Sequence, residues 1–224
     1  MSRVTSVEPQ KKSASRRTKR FNIFLEGQFA FGADEDLVVS RRLMVGKVIS
    51  PEDLDKLLFE AEVGKLTEKM YRWFSIRQHS EKEVRDYFRI KNHESRIKGK
   101  EQISKLAIDT LVETLKKKGM VDDLEFAKSW VEARRRSKQK GVRAIRLELF
   151  QKGIDKEIIE EVARVERLES SEEELAKQAL EKKMNHWKNL DSQKLRQKAI
   201  EFLLRKGFEY DVVKEVVEKA AKLV

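Results

Sequence analysis

The chain has 224 residues, 40% of them charged and 39% hydrophobic, and 50 Lys and Arg against 39 Asp and Glu give a formal net charge of +11. It has no cysteine, which excludes disulfides, zinc ribbons and thiol catalysis. No run of about 18 apolar residues exists, and no apolar segment precedes the first charged cluster. Neither a membrane span nor a secretory signal is expected, and the protein is placed in the cytoplasm.

The charged fraction is well above the ~25% of an ordinary globular domain. An elongated body, with more surface per volume, is expected to carry it. The positive surplus favours polyanionic partners, nucleic acid or an acidic protein face. Two prolines and nine glycines leave long helices uninterrupted.

In chain order, residues 1–19 read as a disordered basic arm, with Lys11, Lys12, Arg16, Arg17 and Lys19 followed by Arg20. Residues 20–64 form an N-terminal extension. Phe21, Ile23 and Leu25 alternate with Asn22, Phe24 and Glu26; Glu26-Gly27 offers a turn, and Phe29 and Phe31 continue the pattern as a β-hairpin. A short helix follows from Glu35 to about Leu43, stopped at Gly46. Gly27 and Gly32 have the spacing of a phosphate-binding loop, but Ala33-Asp34 replaces its Lys-Ser/Thr, so no such loop is present.

From Ser50 onward the chain reads as helix. Ser50-Pro51-Glu52-Asp53 combines an N-cap, a first-turn proline and acids at the positive end of the dipole. Ser80 with Glu83 forms a capping box. Asp122, Asp155 and Ser171 mark further starts.

A terminator recurs. Leu115-Lys-Lys-Lys-Gly119-Met120, Leu149-Phe-Gln-Lys-Gly153-Ile154 and Leu203-Leu-Arg-Lys-Gly207-Phe208 each precede a new helix, and Phe88-Arg-Ile-Lys-Asn92-His93 is a weaker fourth copy. The Leu anchors the last turn, the Lys faces the negative end of the dipole, and Gly or Asn takes a left-handed C′ position. The following apolar residue completes a Schellman cap. The intervals between glycines 119, 153 and 207 are 34 and 54 residues, a degenerate repeat of three-helix modules over 65–121, 122–168 and 169–224. The fold class is therefore all-α, an elongated tandem array of helix-turn-helix-like modules with a small β-hairpin-containing extension.

These residues resemble the RecX family of recombination regulators. The resemblance is carried by Phe74-x-x-Arg77-x-x-Ser80-x-x-Glu83-Val84 with Phe88-x-x-Lys91, by Gly119-Met120-Val121-Asp122-Asp123-x-x-Phe126-Ala127 with Trp130 and Arg134, and by Arg146-x-Glu148-Leu149-x-x-Lys152-Gly153-Ile154. It covers about residues 65–165, is weaker over 195–217, and touches the Phe21-to-Gly46 leader. Met120 stands where Tyr is frequent and Asn92 where Gly is frequent. The resemblance implies a non-enzymatic crescent of three-helix modules that binds the RecA recombinase filament on single-stranded DNA. It also implies an inhibitor that lies in the filament groove, blocks growth and suppresses ATP hydrolysis and strand exchange. The expected setting is DNA repair, recombination and the SOS response, with the protein a monomer.

The expected contact residues are Arg134, Arg135, Arg136, Lys138, Lys140, Arg143 and Arg146, a stretch without an acid. One or two cations suffice to complement a helix end, and seven exceed that. Phe126, Ala127, Trp130 and Val131 share a helix face and are expected in the core. Trp187, near Lys182, Lys183 and Lys188, is expected to pack rather than stack on a base. His79, His93 and His186 have no metal-ligand spacing, no nucleophile–base set is visible, and no cofactor is expected. The alternative is a direct helix-turn-helix DNA-binding protein. Against it, helices after the glycine turns begin with acids, Asp122-Asp123, Asp155-Lys-Glu157 and Glu209-Tyr-Asp211, which repel phosphates.

Overall fold

The structure is a computed structural model that describes residues 1–10, 19–169, 171–184, 186–187 and 191–221. Among them the chain forms four strands and ten helices. It divides into two compact units, Met1–His79 with Val84–Val121, and Ser80–Glu83 with Asp122–Val224.

The first unit opens on an antiparallel sheet of β1 (Ser2–Pro9), β2 (Arg20–Leu25), β3 (Gln28–Asp34) and β4 (Val48–Ile49), in the order β3-β2-β1-β4. The expected hairpin is β2–β3. Glu26 (φ 49°) and Gly27 (φ 80°) both take left-handed conformations, the turn geometry that matches strand twist. The expected disordered arm is corrected over Ser2–Pro9, which is β1. A bulge between Val4 and Ser6 puts Val4 in the core and lets Val7, three residues on, pack against the same cluster. That bulge breaks the alternation by which a strand is recognised. Lys11, Lys12, Arg16 and Arg17 lie outside the described residues.

The inner sheet face packs on α1 (Glu35–Ser40) and on the first half of α2 (Pro51–Phe74) through Ile23, Phe31, Leu37 and Leu57. Asp34 caps α1, its Oδ1 accepting from Leu37 N–H at 2.8 Å, and α1 ends three residues before Leu43. Ser50 caps α2 as expected, with Pro51 in the first turn.

The second half of α2 packs with α3 (Glu81–Ile97) and α4 (Lys105–Lys117) around Met70, Phe88, Leu111 and Leu115. Asn92 does not terminate a helix. It sits inside α3, and its side chain accepts from Ile103 N–H at 2.9 Å and donates to Ile103 C=O at 2.8 Å. The left-handed residue is Gly99 instead (φ 62°). Asn92→Ala removes both bonds and is expected to cost about 2 kcal/mol in urea unfolding, since two partly buried backbone groups lose their partner. A loss below about 0.5 kcal/mol contradicts this role.

The second unit contains α5 (Asp123–Lys138), α6 (Val142–Gln151) and α7 (Lys156–Glu169), then α8 (Glu172–Met184), α9 (Ser192–Lys206) and α10 (Tyr210–Ala221). Phe126, Ala127, Val131, Ile145 and Leu149 form one core, with Trp130 partly buried against it. Leu180, Leu203, Phe208 and Val213 form another.

The three glycine copies of the terminator are Schellman caps. Gly119, Gly153 and Gly207 have φ of 65°, 78° and 89°. The N–H of the next residue reaches back to the Leu carbonyl: Met120 to Leu115 at 2.9 Å, Ile154 to Leu149 at 3.1 Å, Phe208 to Leu203 at 3.2 Å. Two of these turns also dock on a helix start. Gly141 N–H donates to Lys206 C=O at 3.0 Å, and Arg143 N–H to Gly207 C=O at 3.1 Å. In the same way Ser80 Oγ donates to Lys152 C=O at 2.7 Å, and Lys82 Nζ to Gln151 C=O at 2.9 Å.

Candidate polyanion-binding surface

The seven expected contact cations divide by environment. Arg135 is buried, 5% exposed, and its guanidinium meets Glu172 at 2.5 Å. The other Glu172 oxygen accepts from Val142 N–H at 3.3 Å, so one carboxylate ties α5 and the start of α6 to α8. Arg134 lies 4.1 Å over the Trp130 ring and donates to Glu148 at 2.7 Å. Lys140 pairs with the other Glu148 oxygen. Arg146 pairs with Glu160 at 2.7 Å. Arg136 is exposed, and among the described residues its ion pair is an exposed i,i+4 contact to Glu132 at 3.4 Å, which contributes little. Lys138 and Arg143 are exposed. The carboxylate partners were invisible locally: Glu148 lies 14 residues from Arg134, and Glu172 lies 37 from Arg135.

Glu148 is the hub of a polar cluster built from residues that carry the family resemblance. It also accepts from Trp130 Nε1 at 2.8 Å, and Lys152 sits 5.0 Å from the same ring while pairing with Glu83. Burial pushes the Glu148 carboxyl up, but hydrogen bonds from Lys140, Arg134 and Trp130 outweigh it and hold the group below the usual carboxylate range. A depressed carboxylate stabilises the fold above its unfolded pKa, and that contribution is lost as pH falls through the folded pKa. Glu148→Gln is therefore expected to destabilise by about 2 kcal/mol at pH 7. The expected signature is a smaller loss of thermal midpoint between neutral and acid pH than the wild type shows. An unchanged acid dependence contradicts it.

The fold brings further cations to this region. Lys206, in the last turn of α9, donates to the Lys138 carbonyl at the end of α5. Burial lowers the Lys206 pKa, and so do Lys182, Lys140 and Lys183. The ends of α5, α8 and α9 and the start of α6 thus converge at the docked Gly207 turn, and Arg136, Lys138, Arg143, Lys182 and Lys183 are exposed. In sequence Lys182 and Lys183 are assigned to the surroundings of Trp187. That ring packs, as expected, edge-on against Phe202 with centroids 5.8 Å apart, partly buried on the core formed by α8, α9 and α10.

Among the described residues no group of three or more His, Asp or Glu could hold a metal ion. No helix among the described residues is long and apolar enough to cross a membrane. A small sheet, tandem three-helix units and a cationic seam define a basic helical-repeat protein. Residues 2–50 match the regulatory protein RecX N-terminal domain, 122–162 the second RecX three-helix domain, and 171–217 the third. The chain is 32% identical over 219 residues to the regulatory protein RecX of Listeria monocytogenes serovar 1/2a, covering 97% of this chain and 76% of that protein. It is 30% identical over 217 residues to that of Bacillus pumilus, covering 97% and 77%. The chain belongs to the RecX family. Its fold is similar to a crystal structure of regulatory protein RecX (TM-score 0.74, 23% identity, 97% of this chain and 100% of that one). It is also similar to RecX from Lactobacillus salivarius (TM-score 0.58, 24% identity, 73% and 98%).

Proposed function

We propose that the protein is a non-enzymatic inhibitor of the RecA recombinase. It binds the RecA–single-stranded DNA filament in its groove, in the cytoplasm, during DNA repair and recombination. The observation that carries this reading is the cationic convergence at the docked Gly207 turn, where Lys206 meets the end of α5 and the start of α6 and its charge is disfavoured by burial and by Lys182, Lys140 and Lys183. Such a field attracts DNA phosphates or an acidic filament surface. Of the seven expected cations, Arg136, Lys138 and Arg143 face solvent and are the contacts. Lys182 and Lys183 join them. Arg134, Arg135, Lys140 and Arg146 act by holding the helices in place. Seated there, the protein stiffens or terminates the filament and so limits its growth, ATP hydrolysis and strand exchange.

Membership of a family whose members are named regulatory proteins supports this reading. The duplex-reading alternative gains nothing from the geometry, because Asp122 and Asp123 occupy the start of α5. Binding is tested by sedimentation with preformed RecA filaments on single-stranded DNA, beside the bare DNA and RecA alone. The expected result is preference for the filament. Tight sequence-specific duplex binding without recombinase overturns it.

A further inference from the structure

In the first unit, β3 and one face of α2 line an open cavity of about 590 Å³, inside the size range of small-ligand sites. Phe31 and Ala61 form part of its apolar wall, and Phe29, 58% exposed, stands at its edge. Four cations line it against two carboxylates.

One carboxylate is already committed. Glu68 and Arg20 meet at 3.1 Å with side chains 11% and 10% exposed. Arg20 also donates to Gly32 C=O at 3.1 Å. A Cβ at Gly32 would come to 3.4 Å of the Arg20 guanidinium and 3.0 Å of Gln10 Nε2, so the glycine leaves room for this pair. The second Glu68 oxygen, Oε1, is buried and has no hydrogen-bond partner. A buried acceptor without a donor is costly, and Glu68 is among the residues that line the cavity.

The remaining cations are spaced as a track. Lys65, Lys69 and Arg72 stand at i, i+4 and i+7 on α2, spanning about 10 Å of helix. All three are exposed, and none has a carboxylate in ion-pair reach among the described residues. Lys69 also lies 5.2 Å from the Tyr87 ring.

We infer that this cavity is a nucleotide-binding groove, with a base against Phe29 and phosphates along Lys65, Lys69 and Arg72. An aromatic platform beside a cationic track is the arrangement that binds single-stranded nucleic acid without reading its sequence. The length of the track favours consecutive nucleotides of a strand over a free mononucleotide. The groove lies in the first unit and goes beyond the filament reading, since it needs no recombinase.

The test is fluorescence anisotropy of a labelled oligothymidylate of about 12 nucleotides with the full chain, over a salt series. Phe29→Ala is expected to weaken binding about tenfold. The triple variant K65A/K69A/R72A is expected to flatten the salt slope by about 2. R136E/K138E/R143E, on the other unit, separates this site from the Lys206 seam: both Phe29→Ala effects and triple-variant effects persist in that background. Binding of a fluorescent ATP analogue that vanishes in Phe29→Ala, with no oligonucleotide binding, supports the same chemistry with a free nucleotide as its source. Wild-type oligonucleotide binding by both the Phe29 and the triple variants overturns the inference. Equal competition by polyglutamate, insensitive to Phe29, also overturns it, because it leaves only charge.

Discussion

Replacing Arg136, Lys138, Arg143 and Lys183 together by glutamate is expected to lower affinity for the RecA filament on the order of 100-fold near 0.15 M salt. The same change flattens the dependence of log affinity on log salt by about 3. These side chains are exposed and, among the described residues, make no ion pair except the exposed one of Arg136 with Glu132, so the thermal midpoint stays close to wild type. Arg135→Glu is the contrasting case. It sets a carboxylate beside Glu172 in a site only 5% exposed, and breaking such a buried pair costs about 3–5 kcal/mol. It is expected to unfold the second unit rather than to leave a folded non-binder. Sedimentation with filaments, together with thermal unfolding of each variant, checks both halves. A folded quadruple variant with wild-type affinity removes the seam as the contact surface.

The second large effect is expected at Gly141. Its backbone, φ −75° and ψ 161°, suits any residue. A Cβ there, however, overlaps the Gly207 carbonyl and the Phe208 nitrogen. Gly141→Ala must push the Gly207 turn away, losing the Gly141–Lys206 and Arg143–Gly207 bonds. Overpacking and two lost bonds together cost about 3 kcal/mol. Gly119 is the internal control: it is left-handed like Gly207 (φ 65°), but a Cβ there meets nothing within 4 Å. Gly119→Ala is expected to cost only about 1–2 kcal/mol of backbone strain. Urea unfolding measures both, and hydrogen exchange at the Gly141 and Arg143 amides reports the docking directly. Equal losses at the two glycines contradict the docking account.

Gly141 also marks where sequence reasoning stopped. The Leu-x-x-Lys-Gly turn was legible as a terminator because each part has a local mechanical role. Its second role, seating a turn on the start of another helix, was not, because the receiving residue has no side chain and lies 66 positions before Gly207. The β2–β3 hairpin was legible from Phe21, Ile23, Leu25 and Glu26-Gly27. Strand β1 was not, because its bulge breaks the alternation. Asn92 was misread for a related reason. A residue that tolerates a helix C′ also makes paired side-chain bonds to a backbone, and only the fold brings Ile103 to it. The cationic stretch at 134–146 was visible as charge. Its division into paired and exposed members depended on Glu148, Glu160 and Glu172, which arrive from other helices.

The central claim is that a cationic seam on a three-helix repeat restrains a recombinase filament. The most direct measurement is ATP hydrolysis by RecA on single-stranded DNA with increasing amounts of this protein. The account predicts inhibition at or below equimolar protein, and its loss in R136E/K138E/R143E/K183E. Unchanged hydrolysis at equimolar wild-type protein would contradict it.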